Sequence, residues 1–406
     1  MASRSPATIR NVAFCGHSSC GKTTLVESLL FKGGAISRKG RVVDGTTASD
    51  FDAQEKAHKH SIDLSWVHAD VKGTTINILD TPGYRDFIGQ AYCAVAVVES
   101  VVLVVDADEG VRPNTRKVWQ IADAAGLPCL VVVNRCDRDQ AKIEETVAQI
   151  QEQLSTKSIP LFVPSGSGAS FGSVEPILGN KAPSAAAKEA AGKFLDVVVE
   201  SNDAMMERYL GGEAIPDEEV REQLKQAFAT RGIFPVLFTS GEKDIGVQEL
   251  TDAILEYSPP ASNPLGRVLH PAGHPDEKIP VKTGVDDPFC AHVFRVVSDP
   301  YVGKLSYLRV FSGSIAHNGH FMNPHTGKPE KVGKLVRLQG KEQETVDSAG
   351  AGDMVALCKL EGLKTFDTLT ADKALAMDHL PLPTPMFSRA VEPKSKMDEK
   401  KFAESI

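Results

Sequence analysis

Between residues 14 and 25 the chain reads FCGHSSCGKTTL, a stretch crowded with thiols, hydroxyls, one imidazole, one ammonium and two glycines. Three chemistries use such groups: metal ligation, a dithiol couple, or a cradle for an anion. A structural zinc site takes four ligands, usually as two close pairs, and no second Cys/His pair with finger spacing follows. Cys15 and Cys20 are separated by four residues, where a thioredoxin-like couple has two. Their plainer role is packing, with Cys15 ending a buried strand as a small hydrophobe and Cys20 in a loop. The anion cradle fits at every position, because Gly16-His17-Ser18-Ser19-Cys20-Gly21-Lys22-Thr23 satisfies G-x-x-x-x-G-K-[ST]. In such a loop the backbone N–H groups at the helix start point at phosphate. Lys22 reaches the terminal phosphates, and the Thr23 hydroxyl, with Thr24 beside it, meets magnesium.

The cradle needs a strand before it and a helix after it. Residues 9–15 (IRNVAFC) read as a strand and residues 24–31 (TLVESLLF) as a helix with Leu25, Leu29 and Leu30 on one side. Further apolar runs at 75–80 (TINILD), 100–107 (SVVLVVDA), 128–134 (PCLVVVN) and 234–240 (FPVLFTS) are nearly continuous, as parallel strands buried on both faces should be. Helical periodicity between them is clearest at Ile143, Val147, Ile150 and Leu154. Ile62, Leu64 and Trp66 alternate before a Lys72-Gly73 turn, which predicts an antiparallel edge hairpin leading into the strand at 75–80. The pattern implies an α/β, doubly wound, mostly parallel sheet with ligand at the carboxyl ends of the strands.

The alternation lapses between about 159 and 231, where a Gly/Ser-rich loop precedes two helical stretches. The second of these starts near Pro216 and carries Val220, Leu224 and Phe228 on one stripe. This reads as an insertion in a domain spanning 1–258, since the sheet pattern resumes at Phe234. Residues 259–288 are rich in Pro and Gly and read as a linker. From 289 to 383 short strands and turn signals (DPYVG, HNG, HTGKP, GAGD) predict a small all-β barrel. Residues 291–341 carry eight Lys/Arg against two Asp/Glu, a bias that suits either a solvated face or a surface facing RNA phosphates.

The 406-residue chain is 42% hydrophobic and 24% charged, with ample length for two or three cores. A net charge of −8 argues against a protein coated in nucleic acid, though not against a local basic face. The start shows no secretory signal, and the longest apolar run, 94–105, is interrupted by Glu99 and Ser100 and too short to span a bilayer. Seven scattered cysteines suit a reducing compartment, so the expected location is cytoplasmic, with no membrane and no DNA partner. Nothing demands more than a monomer.

Three further strand ends identify the nucleotide. Asp80-Thr81-Pro82-Gly83 follows the strand at 75–80; an aspartate there can hold a magnesium-bound water, and the Gly83 N–H can sense a γ-phosphate. Asn134-Arg135-Cys136-Asp137 ends another strand, and a carboxylate there can accept both N1–H and the 2-amino group of guanine, which adenine lacks. Ser240-Gly241 could present backbone N–H groups to the guanine O6. The ordered set points to GTP or GDP with Mg2+.

On GHSSCGKTTL, DTPGYRDF, NRCD, NDAMMERYLGGE, FPVLFTSGEKDIGVQELTDAI, DPYVGKLSYLRVFSG and AGAGDMVAL, the chain resembles the first two domains of elongation factor G, the ribosomal translocation GTPase. The stretch at 159–231 is similar to that family's extra subdomain. Residues 384–406 resemble the opening of its third domain, so the chain is expected to be a fragment. The resemblance implies a translation elongation factor whose GTP hydrolysis is stimulated by the ribosome, with ribosomal RNA and proteins as partners.

Three departures mark a divergent branch. The family's DTPGH reads DTPGY, so Tyr84 stands where a histidine is associated with positioning the attacking water. A phenol can hold a water but cannot reproduce imidazole's charge and tautomer choices. The first switch carries His58-Lys59-His60-Ser61 in place of Arg-Gly-Ile-Thr, with Ser61 still able to offer a hydroxyl to magnesium. Arg135 replaces the usual Lys of the guanine motif. All three leave binding intact and bear on turnover. The leading expectation is a GTPase using Lys22, Gly83 and Tyr84 in catalysis. The alternatives are a ribosome-associated GTP/GDP-binding module with little or no hydrolysis, and a GTPase of the same superfamily acting off the ribosome.

Overall fold

The computed structural model describes residues 4–399 and 402, apart from 180–181, 272–273, 275, 300–302, 372–374 and 386. Its first part is a seven-stranded sheet in the order β2-β3-β1-β4-β5-β9-β6. The strands are β1 (Ile9–Gly16), β2 (Ser65–Val71), β3 (Thr74–Asp80), β4 (Ser100–Asp106), β5 (Cys129–Asn134), β6 (Ser158–Pro160) and β9 (Phe234–Thr239). Only β2 runs antiparallel, pairing with β3 as the edge hairpin; the other pairs are parallel. Every residue of β4, β5 and β9 is buried, which is why these runs carry no polar alternation. The hairpin's strand starts at Ser65, so Ile62 and Leu64 both lie ahead of it in the preceding loop and only Trp66 is within it.

Helices α1 (Lys22–Lys32), α2 (Ala53–His58), α3 (Ile88–Val95), α4 (Pro113–Ala124), α5 (Ile143–Gln153) and α9 (Val247–Tyr257) intersperse these strands. Two cores result. Leu25, Val26 and Leu29 of α1 pack with Leu250 and Ile254 of α9 on one side. Val118 and Ile121 of α4 pack with Ile143 and Ile150 of α5 on the other. The order places the carboxyl ends of β1, β3, β4, β5 and β9 along one edge, where the loops that carry the sequence motifs meet.

The inserted segment departs from expectation in two ways. Its opening residues form β6, which adds a parallel strand beside β9, so the sheet does not lapse at 159. Three residues are too few to show a period. After the hairpin β7 (Phe162–Ser165) and β8 (Ser173–Pro176) there are three helices rather than two: α6 (Ala185–Val199), α7 (Asp203–Leu210) and α8 (Asp217–Ala229). Asn202 separates α6 from α7 by capping the latter, its side chain accepting from the Met205 N–H at 3.1 Å. Phe194, Val198, Met205, Leu224 and Phe228 are buried, most of them in a core of the insertion's own.

Residues 259–288 are not a plain linker. Here β10 (Val268–Pro271) pairs with β11 (Ile279–Pro280) and with β22 (Leu375–Met377), a strand from the far end of the chain. These pieces are too short and too proline-bound to read as strands. Between them lies the β-rich part: β12 (Cys290–Asp299), β13 (Gly303–Ser312), β14 (Ser314–Ala316), β15 (His320–Met322), β16 (Pro329–Lys331), β17 (Leu335–Gln339), β18 (Glu342–Val346), β19 (Ser348–Gly350), β20 (Met354–Cys358) and β21 (Thr368–Thr370). Eight of them form one antiparallel sheet, β16-β15-β21-β12-β13-β20-β17-β18, beside the pair β14-β19. Asn318, Gly327 and Gly352 take positive φ at the predicted turns; residues 300–302 of the DPYVG turn lie outside the described residues. Beyond β22 the described residues include a short 3-10 turn at Lys396–Asp398 followed by helical Glu399 and Phe402; 400, 401 and 403–406 lie outside the description.

The basic bias of 291–341 is only partly a surface. Arg309 is fully buried against Glu99 at 3.2 Å, and Arg295 pairs with Asp63 at 3.2 Å, both across to the α/β part. Counting charges along a chain cannot separate cations that face water from cations that join two modules.

Candidate functional site

The loop from Gly16 to Gly21 has an unusual backbone. Gly16 and Gly21 have φ of +151° and +86°, and Ser19 sits at +60°. A Cβ on Gly16 would stand 2.3 Å from the Val104 carbonyl oxygen, and one on Gly21 2.5 Å from Asn134 Nδ2. Both glycines are therefore required by packing as well as by conformation. The loop delivers the chain into α1, whose first-turn N–H groups have no intrahelical acceptor and receive no side-chain cap from Gly21. Lys22 is 6% exposed, and its ammonium donates to the loop's own carbonyls, Gly16 O at 3.3 Å and His17 O at 2.9 Å. A cation held this way is poised to exchange neutral carbonyls for phosphate oxygens.

Next to it the side chain of Asp80 is buried at the end of β3, with Oδ2 accepting from Thr23 Oγ1 at 2.8 Å and from Ser49 Oγ at 3.0 Å. Ser61 Oγ lies 3.2 Å from Thr23 Oγ1. Asp50, 4% exposed, joins the group; its Oδ2 and Asp80 Oδ1 are buried without a hydrogen-bond partner. Burial raises the pKa of both carboxyls above the ordinary carboxylate value, and Asp50 also faces the charge of Asp80. Two buried carboxylates with orphaned oxygens beside the hydroxyls of Thr23, Ser49 and Ser61 make an all-oxygen donor set whose nearby cation is Lys22, and the set suits a hard divalent cation such as magnesium. Asp50 escaped the sequence reading because it sits in an irregular stretch of Thr, Ser, Gly and Asp that looks like any solvated loop.

That loop is held from below by carboxylates. Glu27 of α1 accepts the N–H groups of Gly40 and Ala48, and Glu55 of α2 accepts those of Ile62 and Asp63. A capping box between Asp52 and Glu55 starts α2. Lys59, at φ +57°, ends it and turns residues 60 and 61 into the site.

At the other end of the same cavity stands the Asn134–Asp137 turn. The Asn134 side chain donates to Cys20 O at 3.0 Å and accepts from Thr239 Oγ1 at 3.0 Å and the Gly241 N–H at 3.1 Å, so it stitches three loops together. Arg135, in the left-handed region at φ +64°, pairs with Asp106 at 2.8 Å. Asp137 lies 3.7 Å from Lys243 with its carboxylate still open to the cavity. The expectation for Ser240-Gly241 needs correcting. The Ser240 N–H donates to Ile245 O at 2.9 Å and the Gly241 N–H to Asn134 Oδ1 at 3.1 Å, so the 240–245 turn engages the first donor and the Asn134 side chain the second.

The cavity has a volume of about 430 Å3 and is lined by Ser18, Ser19, Gly21, Lys22, Thr23 and Thr24, then Ser61, Gly83 and Tyr84, and finally Asn134, Arg135 and Asp137. Gly16, His17, Cys20, Asp80, Ser240 and Gly241 stand behind that lining as supports. Gly83 is pressed onto the loop, since a Cβ there would lie 2.6 Å from both Lys22 Nζ and Ser18 N. Its carbonyl accepts from Asn114 Nδ2 at 2.8 Å. Three more cations line the cavity: Lys59 of the first switch, and Arg41 and Arg138, which sequence reading did not single out. Cys15 and Cys20 are buried with raised thiol pKa values, caused first by burial, which suits packing rather than redox chemistry.

Residues 7–260 match the family described as Elongation factor Tu GTP binding domain. The chain belongs to that family. Residues 288–372 of this family member match Elongation factor G domain 2. It is also similar to a protein from Thermus thermophilus of known crystal structure, at 27% identity and a TM-score of 0.81. That match covers 98% of this chain and 60% of the other, so this chain spans only part of its relative's length. Together these matches make it an elongation-factor-G-like translational GTPase by family, built as a P-loop sheet followed by a β-rich domain, and membership implies guanine nucleotide binding. No helix among the described residues is long and apolar enough to cross a membrane.

Proposed function

We propose that this GTPase-family chain binds GTP and GDP with Mg2+ and hydrolyses GTP when a ribosome orders its switch loops, driving a conformational step in protein synthesis. The observation that carries this reading is one cavity with two chemically distinct ends. Thr23, Asp50, Ser61 and the orphaned oxygen of Asp80 lie at one end with Lys22, and the Asp137 carboxylate lies at the other. In this reading residues 16–24 hold the phosphates, with backbone N–H groups and Lys22 as the donors. Asp137 accepts from the guanine edge, Asn134 holds the turn in place, and Arg135 flanks the base while tied to Asp106. Thr23, Ser61 and Asp80 would hold magnesium, which supplies charge neutralisation on the phosphate oxygens when bound. The Gly83 N–H senses the terminal phosphate, and Tyr84 orients water. Catalysis of this kind is positioning and electrostatics, with little covalent work for the protein. The ribosome, through its RNA and proteins, is assigned as the partner on the same family likeness, and the cytoplasm as the place of action.

A second reading has an observation of its own. Gly83 packs closely on the loop, a Cβ there standing 2.6 Å from both Ser18 N and Lys22 Nζ. That arrangement suits a diphosphate-bound or resting state, as a module signalling by GTP/GDP exchange with little turnover would use. Multiple-turnover GTP hydrolysis with and without purified ribosomes, beside Lys22→Ala, separates the two. Ribosome-stimulated turnover that Lys22→Ala abolishes is the expected result. Tight nucleotide binding without turnover in either condition would overturn hydrolysis and leave the module.

A further inference from the structure

His60 is unaccounted for by the binding residues, yet it lies in the cavity wall at the end where Lys22 and Gly83 meet. Its ring centroid is 4.6 Å from that of Tyr84 at an interplanar angle of 49°, with Phe87 at 6.4 Å and His58 at 5.7 Å around it. The left-handed turn at Lys59 puts it there rather than in water. Its Nδ1 is 3.2 Å from Ser61 O. A carbonyl oxygen only accepts, so Nδ1 carries the hydrogen, and in the tautomer with that one N–H the Nε2 atom is the acceptor. The ring is fastened to the residue whose hydroxyl faces Thr23, and is tilted against the residue that follows Gly83. It therefore joins the two loops at the phosphate end.

We propose that His60 Nε2 and the Tyr84 hydroxyl together hold the water that attacks the terminal phosphate; the proposal rests on the hydrolysis reading above. The water oxygen bonds to the γ-phosphorus as the bond to the β–γ bridging oxygen breaks. That electron pair leaves on GDP, and the water's proton departs with inorganic phosphate. His60 accepts a hydrogen bond from the water and aims its lone pair. It is neither consumed nor required to change charge.

The test uses the full chain with purified ribosomes and three readouts: kcat and KM for GTP, affinity for a fluorescent GDP analogue, and the gain in retention of that analogue when aluminium fluoride is added as a mimic of the phosphate in flight. His60→Ala should lower kcat about 10–100-fold with KM and GDP affinity within about twofold, the scale of losing one group that orients the reacting atoms. His60→Asn, whose amide oxygen can accept, should recover part of the loss. His60→Ala combined with Tyr84→Phe should fall no lower than the worse single variant, because both act on one water. An unchanged kcat in His60→Ala overturns the proposal, as does a kcat loss matched by lost GDP affinity and not recovered by Asn, which would make the ring structural. If the unaltered protein shows no turnover on ribosomes, the hydrolysis reading fails by itself and the fluoride readout still decides His60. A smaller aluminium fluoride gain in His60→Ala than in the unaltered protein supports the pair, and equal gains overturn it.

Discussion

The contact between the tip of the β17–β18 hairpin and the loop that carries Asp50 makes a sharp prediction for Gly340→Ala. Gly340 has φ +57°, and a Cβ there would lie 2.0 Å from Ala48 O. Gly327, in the β15–β16 turn at the other end of the sheet, has nearly the same backbone, φ +63°, with no atom within 4 Å of its would-be Cβ. Both substitutions pay the left-handed backbone cost, about 1 kcal/mol for alanine. Only Gly340→Ala must also push the loop or the hairpin back by roughly 1 Å to reach ordinary contact, and overpacking of this kind costs about 1–3 kcal/mol. The expected losses are therefore about 2–4 kcal/mol against about 1 kcal/mol. The push has somewhere specific to go. Ala48 precedes Ser49, whose hydroxyl donates to Asp80 Oδ2 at 3.0 Å and whose carbonyl accepts from Ser65 Oγ at 2.6 Å. The Gly340 N–H itself donates to Trp66 O at 3.1 Å. Urea unfolding midpoints and magnesium-dependent affinity for a fluorescent GDP analogue, measured on both variants, make the assay. Gly340→Ala should lower both and Gly327→Ala only the midpoint, slightly. Equal midpoint losses, or a Gly340→Ala protein with unaltered magnesium dependence, would refute the argument that this hairpin braces the loop carrying Asp50.

Two other outcomes follow from single residues. Asp137→Asn replaces an acceptor with a side chain that also donates, and should move preference from GTP towards xanthosine triphosphate; unchanged GTP affinity in a competition assay removes Asp137 from base recognition. His68, on β2, is pushed down to about 4 by burial first and by Arg337, and its Nδ1 lies 3.1 Å from Leu338 O of β17. An unfolded histidine titrates near 6.5, so the unfolded chain binds the extra proton and the stability present above that pH is lost as pH falls towards 4. Between pH 7 and pH 5 this one group removes about 2 kcal/mol. His68→Gln should flatten that part of the pH profile of urea unfolding, and an unaltered slope would show that the ring titrates normally.

The phosphate end was legible because its chemistry is written in consecutive residues. An anion cradle must be a glycine-rich turn running into a helix, so Gly16 to Thr23 declare it within one turn of chain. The buried parallel strands were equally plain, since a run such as SVVLVVD has no other stable place. What escaped depends on contacts between distant segments. Asp50 becomes part of a donor set only once β3 brings Asp80 beside it. Ser240 and Gly241 look like free donors until the turn to Ile245 and the Asn134 side chain engage them. The strands β10 and β22 are invisible separately, because each is a few residues long and their pairing spans about a hundred positions.

The same reasoning explains why the charge count misled. Glu99 is fully buried and accepts from Arg267 and Arg309, each at 3.2 Å, and from Asn11 Nδ2 at 2.8 Å. Asn11 in turn accepts from Asn77 Nδ2 at 2.7 Å, and Asn77 from Trp66 Nε1 at 3.2 Å. A hydrogen-bonded chain thus crosses β2, β3 and β1 into the β-rich part. An ion pair so deeply buried gains little net stability over a hydrophobic equivalent, but losing one partner strands the other charge at a cost of about 3–5 kcal/mol. Such a joint tolerates few alternative arrangements, which is what a module needs if events at Asp50 and Ser61 are to be felt in the β-rich part. Arg295, bound to Asp63 and to the Leu64 carbonyl two and three residues after Ser61, makes the second attachment of the same kind. The arginines that look in sequence like a surface for phosphates are, in the fold, the fastenings between the nucleotide site and its neighbour.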